Sequence, residues 1–268
     1  MAIIDILVIS LPSAKERRCF QKNQLAKLDL KFSFLDATSV NNIGEVVYKQ
    51  HCQDWQRPLK KTEVACYYSH RRAWNRVIQS NQPVLILEDD ALLSKCVPEL
   101  LKEFTNKENA DLINLENRGR KKFVSKSGES IACNSKILRL YQDRTGAAGY
   151  ILWPSGAKKL IQCEKKKGIA LADAHITACN SLNAYQIEPS PIIQLDQCAY
   201  YGIENPVDIK TLESSVSSRN NSKGGWFFRF KRIYSQVKLG LRQLILLTKF
   251  ERRYIEIKKY DFKKNEKR

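Results

Sequence analysis

Three consecutive carboxylates, Glu88, Asp89 and Asp90, follow directly after an aliphatic run at 84–87. A buried strand cannot continue through unpaired charges, because removing them from water costs too much free energy. The three side chains are therefore predicted to lie at the exit of a strand, where ligands of open α/β sheets bind. Side chains alternate along an extended chain, so Glu88 and Asp90 share one side and Asp89 takes the other.

This acidic cluster has two interpretations. Glu88 and Asp90 offer the oxygen ligands that a hard divalent cation such as Mg²⁺ or Mn²⁺ prefers, and such an ion would neutralise a diphosphate. A solvated acidic turn or a helix N-terminus, where acids are favourable, would give the same pattern. The motif alone does not decide between a binding site and a surface turn.

Other candidate residues lie on predicted helices. Glu63, Cys66 and His70 occupy positions i, i+3 and i+7 of a helix predicted at 62–80, so they share one face. A lone helical histidine such as His70 is more often a structural hydrogen-bond partner than a catalyst. Asp173 lies near the start of another predicted helix, as a cap or a general base. The small residues at 146–149 allow close approach of a ligand or a strand.

The elements that must position these residues form two α/β units. A strand at 3–11, a helix at 13–28 and a strand at 31–36 open the chain. The helix at 62–80, the strand at 84–87, a helix near 97–105 and a strand at 111–115 form the second unit. The pattern predicts an α/β fold with an open, mostly parallel sheet flanked by helices.

The positive charge of the chain is concentrated near its C-terminus. Residues 219–268 hold sixteen Lys/Arg against four Asp/Glu, and thus +12 of the net charge of +18. The composition predicts a domain at 1–213, a linker at 214–225 and a basic tail at 226–268. In the tail, apolar residues recur at helical spacing: Phe230, Ile233, Val237, Leu241 and Leu244. Such a helix fits an anionic membrane surface, and a helix packed on the domain or a dimer contact are the alternatives.

The cysteines and the N-terminus indicate a compartment. The eight cysteines show no paired spacing such as CxxC. The first ten residues lack a basic segment and carry an acid within their apolar run, so no signal peptide is predicted. Reduced, mostly buried thiols in a cytoplasmic protein are therefore expected. No stretch approaches the roughly 20 apolar residues of a membrane span.

Several short segments follow one another along the chain. They are Val8-Ile-Ser-Leu11, Arg17-Arg18, Phe34-Leu-Asp36-Ala37, Glu63-Val-Ala-Cys66, Ser69-His70, Leu85-Ile-Leu-Glu88-Asp89-Asp90, Ala147-Ala148-Gly149-Tyr150-Ile151, Gly156-Ala157-Lys158, Asp173, and Pro189 through Gln194. In this order they resemble glycosyltransferase family 25, the lipopolysaccharide-biosynthesis transferases related to collagen galactosyltransferases. Each segment is weak by itself and the shared order is specific. Ala65 is a departure, because the family has Gly before its Cys.

The resemblance implies a GT-A-like fold and an inverting transfer of a hexose, galactose or glucose, from a UDP-sugar to a sugar hydroxyl of a lipooligosaccharide or lipopolysaccharide core. A Mn²⁺ or Mg²⁺ ion at Asp90 and Glu88 would stabilise the leaving diphosphate. Asp173, with Glu63 behind it, would be the base. The expected donor-binding residues are Ser10, Leu11, Arg17, Asp36, Ala37, His70 and Asp89. A glycolipid acceptor would place the protein peripherally on the inner face of the cytoplasmic membrane.

Two other classes of function remain open. A nucleic-acid-binding protein would explain the charge, and a short run in the tail offers a little of the stacking and phosphate contact that it needs: Trp226, Phe227, Phe228 and Arg229. The acidic cluster opposes that interpretation, so no nucleic-acid partner is expected. A metal-dependent phosphohydrolase would also use clustered carboxylates, although such enzymes usually carry more acids and histidines than three adjacent carboxylates supply.

Overall fold

A computed structural model describes residues 4–105, 107, 109–142, 146–207 and 225–263 of the chain. The helices are α1 (Lys15–Lys27), α2 (Glu45–His51), α3 (Lys61–Ser80), α4 (Val97–Phe104), α5 (Pro154–Lys167), α6 (Ala172–Ala178), α7 (Cys198–Tyr201) and α8 (Trp226–Leu246). The strands are β1 (Asp5–Ser10), β2 (Ser33–Asp36), β3 (Val84–Glu88), β4 (Ala91–Leu93), β5 (Leu112–Asn114), β6 (Lys122–Ser125), β7 (Glu129–Ile131), β8 (Ser135–Gln142), β9 (Gly149–Leu152), β10 (Ala184–Glu188), β11 (Ile192–Gln194) and β12 (Phe250–Arg253).

One large sheet organises the described part of the chain. Its strand order is β12-β6-β8-β10-β5-β9-β3-β1-β2, and β7 pairs with β8 beside this path. Strand β1 is parallel to β2 and β3, and β5 is parallel to β10, while the other pairs are antiparallel. Strands β4 and β11 form a separate antiparallel pair. The predicted class, an α/β sheet flanked by helices, is confirmed.

Alternating side chains of the central strands supply two hydrophobic cores. On one face, Leu7 and Ile86 pack in a cluster with residues of α3, α5 and α6. On the opposite face, Val8 and Leu87 pack in a cluster with residues of α1 and α4. Because both faces are covered, β1 and β3 are apolar on both sides, and this explains the unbroken aliphatic runs in the sequence.

Part of the predicted basic tail is an edge strand of this sheet. Strand β12 pairs antiparallel with β6, and the Ile255 side chain that follows is buried. The Arg253 guanidinium donates to both carboxylate oxygens of Glu188, and the Glu256 N–H donates to the same carboxylate. The division into a 1–213 domain, a 214–225 linker and a 226–268 tail stays a prediction, and residues 208–224 and 264–268 lie outside the described residues.

Helix α8 turns its polar side to the domain. Lys231 Nζ donates to the Gln53 carbonyl at 2.9 Å, and Gln56 Nε2 donates to Ser235 Oγ at 2.8 Å. At 3.6 residues per turn, Phe230, Val237 and Leu241 lie on average about 120° round the helix from these contacts. These three side chains are 55–67% exposed. Within the described ranges, none of the helices combines the length and apolar character that crossing a bilayer requires.

The ion pair between Arg253 and Glu188 should hold β12 in the sheet. Arg253→Met leaves a 9%-exposed carboxylate without its cation, so the free energy of unfolding should fall by about 2 kcal/mol. Urea unfolding measures this loss, with Arg229→Met on the exposed side of α8 as the matched control. Equal stability of the two variants, within about 0.5 kcal/mol, would contradict the described role of β12.

Candidate active site

The candidate site lies at the carboxyl ends of β1, β2 and β3. The register pairs Ser10 with Asp36 and Ile9 with Glu88, so the last residues of three neighbouring parallel strands meet at one edge of the sheet. The Glu88 N–H donates to the Ala148 carbonyl at 3.0 Å, at the start of the antiparallel strand β9. The acidic cluster thus leaves the sheet where open α/β sheets bind ligands.

The Asp89 carboxylate is held from β1 and α1. Ser10 Oγ donates to Asp89 Oδ2 at 2.7 Å, and Arg17 Nη1 donates to Asp89 Oδ1 at 3.1 Å. Burial raises the pKa of Asp89 above its usual value, although Ser10 and Arg17 both favour the carboxylate. Asp89 therefore has a different set of partners from Glu88, and it lies with Asp90 in the turn after β3, where the strand alternation used in the sequence analysis no longer applies.

Two buried glutamines of α1, which the sequence analysis missed, fix the turn after β3. Gln21 Nε2 donates to the carbonyls of Asp89 and Ala91 at 3.1 and 2.8 Å. Gln24 Nε2 donates to the Ala91 carbonyl at 3.0 Å, and Gln24 Oε1 accepts from the Leu93 N–H at 2.8 Å. Their i, i+3 spacing on a helix next to the sheet is the signal that could have identified them.

The Glu88 carboxylate is oriented by a chain of side chains from α3 and β9. His70 is 1% exposed, and its Nε2 lies 3.0 Å from Glu88 Oε1. Its Nδ1 lies 3.0 Å from the Tyr150 hydroxyl, which also accepts a hydrogen bond from Trp74 Nε1 at 2.9 Å. On the other side, Gln194 Nε2 donates to Glu88 Oε2 at 3.4 Å. His70 therefore contacts a carboxylate of the acidic cluster directly.

Asp90 is half-buried, and one of its carboxylate oxygens, Oδ1, is fully buried. Within the described part of the chain, no donor reaches its Oδ1 atom. Burial, followed by the charges of Glu88 and Asp89, raises the pKa of Asp90 well above its usual value. An unpartnered buried carboxylate oxygen costs free energy unless a cation or a donor reaches it. The donor set at Asp90 and Glu88, which consists of carboxylate oxygens, fits a hard divalent cation.

Glu116 is a further buried acid near Glu88. Glu116 lies two residues after the end of β5, and Glu88 is the last residue of β3. The pattern of an acid at the end of an apolar strand is therefore repeated, and it could have identified Glu116 from the sequence. Its Oε2 accepts from the Ala148 N–H at 2.8 Å, and its Oε1 has no partner among the described residues. Burial first, and then the charge of Glu88, raise its pKa. Gly146 has φ +89° and a Cβ there would overlap the Glu116 carboxylate, so only glycine fits.

Asp173 lies in the first turn of α6. Its Oδ1 accepts from the Ala174 N–H at 2.7 Å, and its side chain is half-buried. Burial, and then the charges of Glu88, Asp173 and Asp90, raise the pKa of the Cys66 thiol. The Cys66 thiol of α3 therefore experiences the charges of both Asp173 and the acidic cluster.

Glu63 is engaged at the start of α3. Arg57 donates to both of its carboxylate oxygens at 2.8 and 2.6 Å, and the Lys60 N–H donates at 2.9 Å. Burial opposes ionisation, but the bonds from Arg57 and Lys60 outweigh it and lower the pKa of Glu63. A carboxylate with these partners is a weak proton acceptor, and its contacts favour a role in capping the helix.

The remaining predicted donor-binding residues surround the ends of β1 and β2. The Arg18 side chain donates to the carbonyls of Ser10 and Leu11 at 2.9 and 3.1 Å, and to the carboxylate of Asp36. The Ala37 N–H donates to the Ser10 carbonyl at 2.9 Å. Asp36 keeps a side-chain exposure of 63%, so its carboxylate is accessible to a ligand.

Known proteins are similar in sequence to the part of the chain that contains the candidate site. Residues 3–176 match Glycosyltransferase family 25 (LPS biosynthesis protein). A Haemophilus influenzae protein named as a glycosyltransferase is 28% identical over 169 residues, 62% of this chain and 59% of its own length. The Haemophilus influenzae lipooligosaccharide biosynthesis protein lic2B is 26% identical over 211 residues, 71% of this chain and 76% of the relative.

A relative from another genus covers a similar region. The lacto-N-neotetraose biosynthesis glycosyltransferase LgtE of Neisseria meningitidis serogroup B is 31% identical over 160 residues. The match takes in 54% of this chain and 55% of that protein, so the chain spans little more than half of this relative. The family match includes the ends of β1, β2 and β3, the acidic cluster and Asp173. With more than half of its residues in that match, the chain belongs to glycosyltransferase family 25.

Proposed function

We infer that the chain is an inverting glycosyltransferase of lipooligosaccharide or lipopolysaccharide biosynthesis. It moves a hexose, galactose or glucose, from a UDP-sugar to a sugar hydroxyl of the glycan core. The observation that carries this proposal is the acidic cluster at the ends of parallel strands, where a buried oxygen of Asp90 finds no partner among the described residues. The relatives named for lipooligosaccharide and lacto-N-neotetraose biosynthesis support the acceptor class.

Asp90 and Glu88 would hold a Mn²⁺ or Mg²⁺ ion in this proposal. When bound, the ion supplies positive charge to the diphosphate that leaves the sugar. Asp89, fixed by Ser10 and Arg17, keeps the turn in place. His70 contacts the Glu88 carboxylate from the buried side. This contact supports a positioning role for His70, in addition to its proposed role in donor binding.

The nucleotide would lie across the ends of β1 and β2. Ser10 ends β1 and Leu11 follows it, and Arg18 holds the carbonyls of both. Asp36 ends β2, and the N–H of the next residue, Ala37, donates to the Ser10 carbonyl. The accessible Asp36 carboxylate can accept hydrogen bonds from a sugar or base of the nucleotide. Arg17 is positioned beside Asp89 and can approach phosphate oxygens.

Asp173 is the proposed general base. In a single displacement, the acceptor oxygen bonds to the anomeric carbon as the bond from that carbon to the diphosphate breaks, and the hydroxyl proton passes to Asp173. Attack from the opposite face inverts the configuration. Glu63 was the second candidate, and its bonds to Arg57 and Lys60 favour Asp173 instead.

The basic helix α8 supports a peripheral membrane location, on the inner face of the cytoplasmic membrane. Its exposed face carries Trp226, Phe230 and Ile233, each more than half exposed, and Arg229 and Arg232 are exposed beside them. Apolar residues flanked by cations match the surface of a bilayer that contains anionic lipids. A glycolipid acceptor would be reached at that surface.

Removal of the proposed metal ligand should abolish transfer. Asp90→Asn keeps the size of the side chain and loses the charge, so kcat/KM for transfer from a UDP-hexose with Mn²⁺ should fall by at least about 100-fold. Thermal unfolding checks that the fold is retained. Asp5→Asn, at the opposite end of β1, is the matched control. An Asp90→Asn enzyme with the activity of the control, or a wild-type protein that only hydrolyses phosphoesters, would refute the proposal.

Replacement of the proposed base should separate binding from chemistry. Asp173→Asn should lower kcat by about 100-fold or more while the Kd for UDP stays unchanged, because the carboxylate acts on the acceptor. Glu63→Gln should instead lower the thermal stability, since it weakens the bonds from Arg57. Single-turnover kinetics and calorimetry measure the two effects. Unchanged turnover in Asp173→Asn would remove this residue as the base.

The apolar face of α8 should bind anionic membranes. The triple variant Phe230→Ser, Val237→Ser and Leu241→Ser removes apolar area, so the affinity for vesicles with anionic lipid should weaken by about tenfold or more. Vesicle co-sedimentation at low and high salt measures this affinity. Val46→Ser, an 81%-exposed position on α2, is the control. Equal binding of the triple variant and the control would show that the face has another occupant.

A further inference from the structure

We propose that Cys66, His70 and Glu88 form a binding site for Zn²⁺, adjacent to Asp90 and sharing Glu88 with the proposed Mn²⁺ or Mg²⁺ site. The juxtaposition consists of one sulfur, one imidazole nitrogen and one carboxylate oxygen, contributed by α3 and by the end of β3. Zinc binding needs no nucleotide-sugar and no acceptor, and only its effect on transfer rests on the proposed function.

The distances between the three donors fit one small ion. The Cys66 sulfur, a His70 ring nitrogen and a Glu88 oxygen all lie within 4.8 Å of one another. His70 Nε2 and Glu88 Oε1 are 3.0 Å apart. Ligands of tetrahedral zinc lie about 2.0–2.3 Å from the metal, so neighbouring ligand atoms are about 3.3–3.6 Å apart. Small movements of the side chains therefore accommodate the ion.

The scaffold orients the donors as in known zinc sites. Cys66 and His70 are four residues apart on α3 and project from one side of a long, well-packed helix. The Tyr150 hydroxyl bonds the Nδ1 atom of His70, which leaves Nε2 directed at Glu88. In metal sites, a hydrogen bond to the ring nitrogen that does not bind the metal fixes the orientation of the histidine and raises the metal affinity. The Cys66 side chain is partly exposed, so an ion can reach it.

The chemistry of the donors selects the metal. A thiolate with an imidazole favours Zn²⁺ over the hard ions Mn²⁺ and Mg²⁺, which prefer oxygen ligands such as Asp90. On binding, Zn²⁺ replaces the thiol proton of Cys66, which is released to solvent. It also replaces the hydrogen bond between His70 and Glu88, and the neutral, zinc-bound imidazole would then carry its one ring proton on Nδ1, where it donates to the Tyr150 hydroxyl oxygen. Because Glu88 serves both sites, zinc and manganese should compete, and zinc should inhibit transfer.

Thiolate ligation can be read without any enzyme assay. Co²⁺ added to the full chain as a zinc substitute should give the near-ultraviolet thiolate-to-cobalt charge-transfer band, and Zn²⁺ should abolish it. Cys66→Ser should lose the band, while Cys19→Ser, an exposed thiol of α1, should keep it. No band in the wild-type protein, or an equal band in Cys66→Ser, would overturn the proposal.

A second measurement uses the wild-type protein alone, so it does not depend on how a variant folds. Zn²⁺ should slow the alkylation of Cys66 by about tenfold or more and leave Cys19 unaffected, as read by peptide mass spectrometry. Equal rates at Cys66 with and without zinc would count against the site.

The transfer assay then tests competition. Zinc should raise the Mn²⁺ concentration that gives half-maximal transfer. The zinc concentration that halves the rate of the Cys66→Ser variant should be at least about tenfold higher than the concentration that halves the wild-type rate. If cobalt binds at Cys66 but no sugar is transferred, the proposed function fails and the zinc site stands. If manganese-dependent transfer proceeds and the cobalt band is absent, only the zinc site fails.

Discussion

The desolvation of carboxylates at the end of β3 is the constraint on which the site depends. Four aliphatic residues carry the chain through the core, and three acids follow with no residue between. Asp89 is compensated by Ser10 and Arg17, and Glu88 by His70 and Gln194, whereas one buried oxygen of Asp90 has no partner in the described part of the chain. This unequal compensation raises the pKa of Asp90 and disfavours its carboxylate form, which a bound divalent cation would stabilise.

Helix α3 connects this constraint to the rest of the molecule. Its buried side carries Tyr67 and Trp74 into the core, and the same helix presents Cys66 and His70 to the acidic cluster. Its first turn is fixed by Glu63 and Arg57. The helix thus sets both the packing of one face of the sheet and the orientation of Glu88, so the position of the carboxylate follows from the core.

The sequence predicted the features that local patterns determine. The aliphatic run before Glu88 requires a strand exit, and the spacing of Glu63, Cys66 and His70 requires one helix face. Contacts between distant segments had no local signal. The pairing of β12 with β6, the approach of Gly146 to Glu116, and the bond from Tyr150 to His70 depend on tertiary packing. The short helix α2 in a polar stretch was also missed, since none of its residues is buried.

In the proposed function, the acidic cluster binds a metal ion and, through it, a nucleotide diphosphate. Calorimetric titration of the wild-type protein with UDP, in Mn²⁺ and then in EDTA, measures this coupling. We expect Mn²⁺ to strengthen UDP binding by about 100-fold or more, because the ion would join the carboxylates to the diphosphate. Equal affinity for UDP in Mn²⁺ and in EDTA would contradict it.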